Sequence, residues 1–78
     1  MTQITELLTE VEIELEEAQR RFTNFNSPHE GYAVILEEVD ELWDWIKHSG
    51  GRFGDARQEA IQIAAMALRY IIDLSERG

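Results

Sequence analysis

Residues 27–51 read SPHEGYAVILEEVDELWDWIKHSGG, and this stretch decides the fold. Ser27 and Pro28 form a conventional helix start, because serine caps free backbone N–H groups and proline fits the first helical position. Gly50 and Gly51 are a conventional stop. No sustained alternation of apolar and polar residues, the pattern of a strand, lies between these signals. The stretch therefore predicts one long helix over residues 28–48.

Each flank of this stretch predicts one more helix. Before it, apolar residues recur in steps of four and three, which predicts a helix over residues 5–22 with one apolar stripe and a solvated, Glu-rich face. The stripe consists of Ile4, Leu8, Val11, Leu15, Ala18 and Phe22. After the glycines, Asp55 is the predicted N-cap of a third helix that continues to about residue 75 and is apolar nearly all round. The predicted fold class is all-α, with three helices in a single domain over residues 1–78.

The size of the chain predicts self-association. With 78 residues, 44% of them hydrophobic, and no cysteine, the domain has a small core and no disulfide to stabilise it. Such a core rarely supplies more than about 3–5 kcal/mol. A third helix that is apolar on most sides must also be enclosed on most sides, which three helices hardly achieve. We therefore expect a homodimer or homotetramer in which the helices pack into a bundle.

The charge balance excludes several classes of partner. Sixteen acidic residues face seven basic ones, a net charge of −9. This field repels the phosphates of nucleic acids and anionic membrane surfaces, so we expect no nucleic-acid and no membrane partner. The first ten residues are acidic and lack the features of a signal peptide, and no apolar run approaches a membrane span. We expect a soluble cytoplasmic protein that binds any anionic substrate through cations.

Some carboxylates fall where a helix should be apolar. On the second helix, Glu37, Asp40 and Asp44 lie on the outward side, but Glu38 falls inside a continuous apolar arc and Glu41 borders it. On the third helix, Glu59 falls among apolar residues and Gln62 follows one turn later. Burying an ionised carboxylate costs several kcal/mol unless it is paired or bound to a metal.

Two explanations for these buried acids remain open. Oxygen-only ligands suit Mg²⁺ or Mn²⁺, so the acids could share a divalent cation. Alternatively, they could form buried salt bridges with Arg57, Arg69 or Lys47. A di-iron bundle does not fit, because it needs Glu-x-x-His on two helices and this chain has Glu41 and Gln62 at those positions.

At these residues the chain resembles a known family. Leu36-Glu37-Glu38-Val39-Asp40-Glu41-Leu42, followed by Glu59-Ala60-Ile61-Gln62, resembles the Glu-Glu-x-x-Glu … Glu-x-x-Asp signature of MazG-like all-α nucleoside triphosphate pyrophosphohydrolases. The resemblance covers nearly the whole chain and is strongest to a short branch from bacteria and bacteriophages, some of whose members hydrolyse purine deoxynucleoside triphosphates. It implies an oligomeric helical bundle that uses Mg²⁺ to cleave a nucleoside triphosphate into monophosphate and pyrophosphate.

The resemblance also implies roles for individual residues. The metal ligands carry over to Glu38, Glu41 and Glu59. Gln62 stands where the family usually has Asp; its amide oxygen can coordinate a metal but brings no charge. Weaker metal affinity, one ion fewer, a ligand taken from Asp55 or lost activity are the consequences that this departure leaves open.

Further residues complete the expected site. Glu37, beside Glu38, is the candidate that orients or deprotonates the attacking water, and these two are the predicted catalytic residues. For the phosphates, the candidates are Lys47, Arg52 and, more remotely, Arg69. Aromatic residues that could stack on the base are Tyr32, Trp43, Trp45 and Phe53.

A function of another class competes with the enzyme. The chain could be a non-catalytic helical interaction module that kept the bundle and lost catalysis through Gln62. Glu38 and Glu59 inside apolar arcs favour the enzyme, because an inactive scaffold would gain stability by losing them.

Overall fold

The computed structural model of the chain describes residues 3–49 and 53–75, and these form four helical elements. They are α1 (Ile4–Arg21), α2 (Pro28–Ser49), α3 (Phe53–Tyr70) and a π-helix (Ile71–Ser75) that directly continues α3. The described part of the chain contains no strand, so the predicted all-α class with three helices is confirmed. None of its helices is long and apolar enough to cross a membrane.

The start of α2 has the predicted cap. The backbone N–H of Glu30 donates to the Ser27 hydroxyl at 3.1 Å, and the Glu30 carboxylate in turn accepts from the backbone N–H of Asn26 at 2.7 Å. The two bonds satisfy amides that the helix itself leaves free, in the manner of a capping box. Ser27 and Pro28 therefore set the first turn of α2 as the sequence predicts.

The start of α3 differs from the prediction. Asp55 is not an N-cap, because the helix already begins at Phe53 and Asp55 lies in its first turn. A carboxylate is favourable there as well as at the cap, since the first turn of a helix carries partial positive charge. The preference of aspartate for either position is why the sequence alone misplaces this boundary by three residues, with the first helical residue at 56 instead of 53.

The core lies where α3 packs against both other helices. Its buried apolar residues come from α1, the segment after it and α3, and they are Val11, Ala18, Phe25, Ile61, Ala65 and Met66. On α1 only the middle of the predicted stripe is covered: Val11 and Ala18 are buried, while Ile4, Leu8 and Phe22 are exposed. The buried residues are those that pack into the core with α3, while both ends of the stripe stay largely open to water; at Phe22 the guanidinium of Arg69 lies 5.7 Å from the centre of the ring.

Much of the apolar surface of the other two helices is also exposed. On α2, five exposed apolar residues are spaced by four and three positions; they are Tyr32, Leu36, Val39, Trp43 and Ile46. We call this surface the α2 stripe. Beyond the middle of α3, the side chains of Leu68, Ile71 and Ile72 are exposed as well. One chain therefore encloses α3 only in part.

The first turns of α2 pack closely against the end of α3. Gly31, on the first turns of α2, is buried, and a Cβ atom at this position would lie 2.6 Å from Cδ2 of Tyr70 and 3.3 Å from Cδ2 of Phe25. Glycine is required here because any side chain would push α2 away from α3. This close approach sets the spacing of the two helices that carry the acids.

Candidate metal centre

Three carboxylates meet between α2 and α3. Glu38 and Glu41 lie one turn apart on α2, which places them on the same face of the helix. Glu59 lies opposite on α3, and one oxygen from each of the three side chains lies within 4.8 Å of the other two. All three residues are half-buried. The structure thus brings together the three acids that the sequence predicts as metal ligands.

Gln62 lies beside these acids, one turn after Glu59. When its amide nitrogen faces them, it donates to Oε2 of Glu38 at 2.8 Å and to Oε2 of Glu59 at 3.2 Å. These two bonds use both hydrogens of the amide and connect α3 to α2. The side chain in the fourth position of the predicted set is therefore in contact with two of the other three.

The acids perturb one another strongly. Partial burial, a hydrogen bond with Glu59 and the negative charges of Glu41, Glu59 and Glu37 raise the pKa of Glu38 to about 7. Partial burial and the charges of Glu59, Glu37 and Asp44, together with a hydrogen bond that the protonated carboxyl of Glu41 donates to Glu59, also raise the pKa of Glu41. Both shifts arise because a negative charge is unfavourable next to other negative charges in a partly desolvated place.

The three basic residues proposed as alternative partners for the acids are used elsewhere. The guanidinium of Arg57 forms a two-pronged ion pair with the Glu10 carboxylate, at 2.7 and 2.6 Å. Arg69 pairs with Asp73 at 3.6 Å, and Lys47 pairs with Asp44 at 3.7 Å. Among the described residues no basic side chain pairs with Glu38, Glu41 or Glu59, so the salt-bridge explanation fails for this part of the chain.

The donor set fits a hard divalent cation. Mg²⁺ binds oxygen ligands at about 2.0–2.1 Å in octahedral geometry, so two of its ligands lie about 2.9 Å apart when adjacent and about 4.2 Å apart when opposite. One carboxylate oxygen from each of Glu38, Glu41 and Glu59 lies within 4.8 Å of the other two, so small side-chain rotations would bring the three around one cation. A cation would also relieve the mutual repulsion that raises the pKa of Glu38. Oxygen-only donors favour Mg²⁺ or Mn²⁺ over zinc.

A cleft of about 440 Å³ begins at Glu38 and Gln62 and extends between α1 and the start of α2. Its apolar walls are Ala18, Phe22, Phe25, Val34 and Met66. Its acidic residues are Glu14, Glu17, Glu30, Glu37 and Glu38, and its basic ones are Arg21 and Arg69. The cleft therefore combines an apolar interior with a negative rim next to the three acids.

Glu37 lines this cleft beside Glu38 and is exposed. Its charge contributes to the raised pKa of both Glu38 and Glu41, so it lies within electrostatic reach of the acids without joining their cluster. The structure thus places this predicted catalytic residue at the boundary between the acids and the cleft.

The predicted phosphate-binding residues are placed less favourably. Lys47 is exposed near the end of α2, where its ammonium group lies 5.7 Å from the centre of the Trp43 ring, and it does not line the cleft. Arg52 lies outside the described residues. Arg69 does line the cleft, but its guanidinium donates to the carbonyl of Thr23 at 2.5 Å and lies 4.1 Å from the centre of the Phe25 ring.

The aromatic residues of the cleft are not those that the sequence suggested. None of Tyr32, Trp43 and Trp45 lines it, and the side chain of Phe53 lies outside the described set. Phe22 and Phe25 line it instead. The apolar stripe that ends at Phe22 assigned this residue to the core of α1, and Asn24 and Asn26 marked the surroundings of Phe25 as a turn. No local pattern indicates that both rings face one cleft.

No family model, curated protein or solved structure matches this chain. The resemblance of its two acidic motifs to the MazG-like family accordingly stays a prediction.

Proposed function

We propose that this chain is a Mg²⁺-dependent nucleoside triphosphate pyrophosphohydrolase that cleaves a nucleoside triphosphate into monophosphate and pyrophosphate. The observation that carries the proposal is the meeting of Glu38, Glu41 and Glu59 with no basic partner among the described residues. A stable helical core does not need this arrangement, whose acids repel one another. A cation bound between the three acids would neutralise their repulsion and so account for the arrangement.

In this proposal the three acids and Gln62 hold Mg²⁺, or Mn²⁺ in its place. Held by these four side chains, the cation would supply positive charge to the phosphates and would polarise the phosphorus that is attacked. This is necessary because the acidic cleft would otherwise repel a triphosphate. Lys47, Arg52 and Arg69 stay candidate phosphate contacts, and Arg69 would have to keep its bond to Thr23 while it served in that role.

Glu37 and Glu38 are the proposed catalytic residues. A water molecule adds to the α-phosphorus, the bond from that phosphorus to the oxygen bridging to the β-phosphorus breaks, and pyrophosphate leaves. The carboxylate of Glu37 accepts the proton that the water loses, since it is exposed at the cleft and adjacent to the acids. The apolar walls of the cleft, chiefly Phe22 and Met66, suit the nucleoside, because a base gains affinity by leaving water for an aromatic surface.

The test is the release of pyrophosphate from a panel of ribo- and deoxynucleoside triphosphates. We expect release with Mg²⁺ or Mn²⁺, none with EDTA, and a large loss of activity in the Glu59→Gln variant. Glu16→Gln is the matched control, since Glu16 is an exposed acid on α1. Absence of pyrophosphate with every substrate and both metals would contradict the proposal.

We also propose that the active form is a homodimer or homotetramer in which a second copy covers the α2 stripe. Steps of four and three are the spacing by which two helices pack along a seam. The stripe is an exposed apolar face on a chain whose small core supplies little stability alone. A stripe of this composition exposed to water would be a surface for association.

The stripe can be tested with one pair of variants. Trp43 is 54% exposed on the stripe, and Ile13 is 58% exposed on α1 away from it. We expect sedimentation of the wild type at micromolar concentration to give at least twice the chain mass of 9.1 kDa. Trp43→Glu should lower that mass and Ile13→Glu should not. A folded wild-type monomer, or equal behaviour of both variants, would contradict this assembly.

A second candidate function is a non-catalytic helical interaction module. The observation that favours it is the pair of hydrogen bonds from Gln62 to Glu38 and Glu59, which partly satisfies the acids without any cation. If the chain is such a module, we expect it to form oligomers, to release no pyrophosphate and to gain no stability from Mg²⁺. The sedimentation and pyrophosphate assays, together with melting in Mg²⁺, therefore separate the two functions.

A further inference from the structure

Gln62 is the side chain that connects the acids of the two helices. Its amide nitrogen bonds to Glu38 on α2 and to Glu59 on its own helix, at 2.8 and 3.2 Å. It thereby donates to two of the three clustered acids, one on each helix. Hydrogen bonds to charged groups are roughly twice as strong as those between neutral groups.

The position of this amide suits a second role equally well. The last torsion of a glutamine side chain is broad and close to two-fold, so a half-turn exchanges nitrogen and oxygen with almost no change in shape. With the oxygen turned towards the acids, the four side chains would present oxygen alone. This is the donor set that hard divalent cations take, and without a cation it would only place acceptors against acceptors.

We propose that Gln62 is a positioning residue that serves both states of the site: it donates to Glu38 and Glu59 when no cation is bound, and turns its amide oxygen inward when one is. This inference rests on the proposed metal site. An aspartate or glutamate at position 62 could serve only the second state, because it has no hydrogen to donate and would add a fourth negative charge to the first. Glutamine keeps the site assembled before the metal arrives, at the cost of affinity for it.

Two variants separate these roles. Gln62→Leu keeps a side chain of similar size and removes the amide, whereas Gln62→Glu keeps the length and replaces the amide by a carboxylate. We expect the metal-free melting temperature to fall in the order wild type, Gln62→Leu, Gln62→Glu. We expect calorimetric affinity for Mg²⁺ to follow another order, tightest in Gln62→Glu and at least about tenfold weaker than wild type in Gln62→Leu.

Gln58 is the matched control on the same helix. Its side-chain nitrogen donates to Glu14 on α1 at 2.8 Å on the exposed surface, and not to any of the three acids. Gln58→Leu should therefore leave the affinity for Mg²⁺ unchanged. The two glutamines also offer a direct spectroscopic test, because each side-chain NH₂ group gives its own signals in an ¹⁵N-labelled protein, which the two Leu variants assign.

We expect addition of Mg²⁺ to shift the Gln62 NH₂ signals towards those of a free amide and to leave the Gln58 signals in place. Unmoved Gln62 signals at saturating Mg²⁺ would overturn the proposed half-turn. A Gln62→Leu variant as stable as wild type without metal would overturn the donor role, and unchanged Mg²⁺ affinity would overturn the ligand role. If wild type binds no Mg²⁺ and releases no pyrophosphate, the proposed function and the ligand role both fail, and the metal-free melting temperatures still decide the donor role.

Discussion

Two groups of charged side chains lie where α3 meets its neighbours, and they differ in whether the charges in each group are opposite or alike. Near the end of α3, Arg69 and Asp73 are 5% and 3% exposed and face each other. The Asp73 carboxylate also accepts from the backbone N–H of Phe25 at 2.9 Å. In the middle of α3, Glu59 faces Glu38 and Glu41, like charges with one amide beside them.

The difference separates structure from function. At Arg69 and Asp73 every charge has an opposite charge and a hydrogen bond from this chain, so the group is complete and can stabilise the fold. At the three acids the neighbours raise the pKa of Glu38 instead of lowering it, so the group costs stability as it stands. Burial of a charge does not indicate a site by itself, but burial next to like charge does.

The largest loss of stability should come from removing one partner of the buried Arg69–Asp73 pair. Asp73→Ala leaves the guanidinium of Arg69 buried without its partner and the N–H of Phe25 without its acceptor. Removal of one member of a buried ion pair costs about 3–5 kcal/mol, comparable to the whole stability of a domain of this size. We expect the variant to be largely unfolded, as followed by circular dichroism during urea denaturation.

The control for this change is Asp44→Asn, which removes the partner of Lys47 on the surface. An exposed pair contributes at most about 1 kcal/mol, so this variant should unfold close to wild type. Equal urea midpoints for the Asp73 and Asp44 variants would mean that the buried pair does not hold the end of α3.

The next effect concerns the cluster of Glu38, Glu41 and Glu59, and the change in stability should have the opposite sign. Glu59→Gln removes one of three mutually repelling charges, so we expect the metal-free variant to be as stable as wild type or more stable. Mg²⁺ at a hundred times its Kd should stabilise wild type by about 2.7 kcal/mol, because the cation binds only the folded state. This gain should disappear in Glu59→Gln, which thermal melts with and without Mg²⁺ measure.

If Glu59→Gln unfolded without metal, as we expect of Asp73→Ala, the two charged groups would not differ in their effect on stability. Glu59 would then be a structural partner in the same sense as Asp73. Glu16→Gln should respond to Mg²⁺ as wild type does, which shows that loss of an acid elsewhere is not enough.

The sequence predicts one of these two charged groups, the cluster of Glu38, Glu41 and Glu59. Residues 27–51 carry their own start and stop signals, and the position of Glu38 and Glu41 within an apolar arc follows from helical spacing alone. Their meeting with Glu59 requires only that α2 and α3 pack side by side. Such local periodicity explains why the three helices and the three clustered acids were predictable.

Arg69 and Asp73 stand four residues apart, a spacing that makes them neighbours on a helix, but their contacts with the rest of the fold were not predictable in this way. Arg69 was assigned to phosphates, because its distance along α3 from Gln62 is all that the sequence offers. Its partners, Thr23 and Phe25, lie in the segment between α1 and α2, more than forty residues earlier. The pairing of Arg57 with Glu10 is likewise a tertiary choice that no local pattern indicates, whereas Lys47 and Asp44 stand three residues apart on one helix, a spacing that makes them neighbours.

The smallest expected effect is a dependence on pH, and its sign follows from the raised pKa of Glu38. Its pKa is about 7 in the folded protein against 4.5 for an ordinary glutamate, so the folded state binds more protons than the unfolded state between these values. Stability must fall with rising pH wherever the folded state holds the extra proton. The metal-free protein should therefore lose stability from about pH 4.5 to 7, and Glu41 adds to the fall in the same direction.

Melting temperatures in EDTA between pH 5 and 8 measure this slope. Glu10, whose pKa is lowered by Arg57, acts with the opposite sign only near and below its ordinary pKa of 4.5, so it does not mask the effect. Glu38→Gln should flatten the curve. Saturating Mg²⁺ should flatten it too, because the cation displaces the extra proton and leaves the folded state with no more bound protons than the unfolded state above about pH 5. A metal-free protein whose stability rises between pH 5 and 7 would show that the three acids find positive partners in solution and would remove the distinction between the two charged groups.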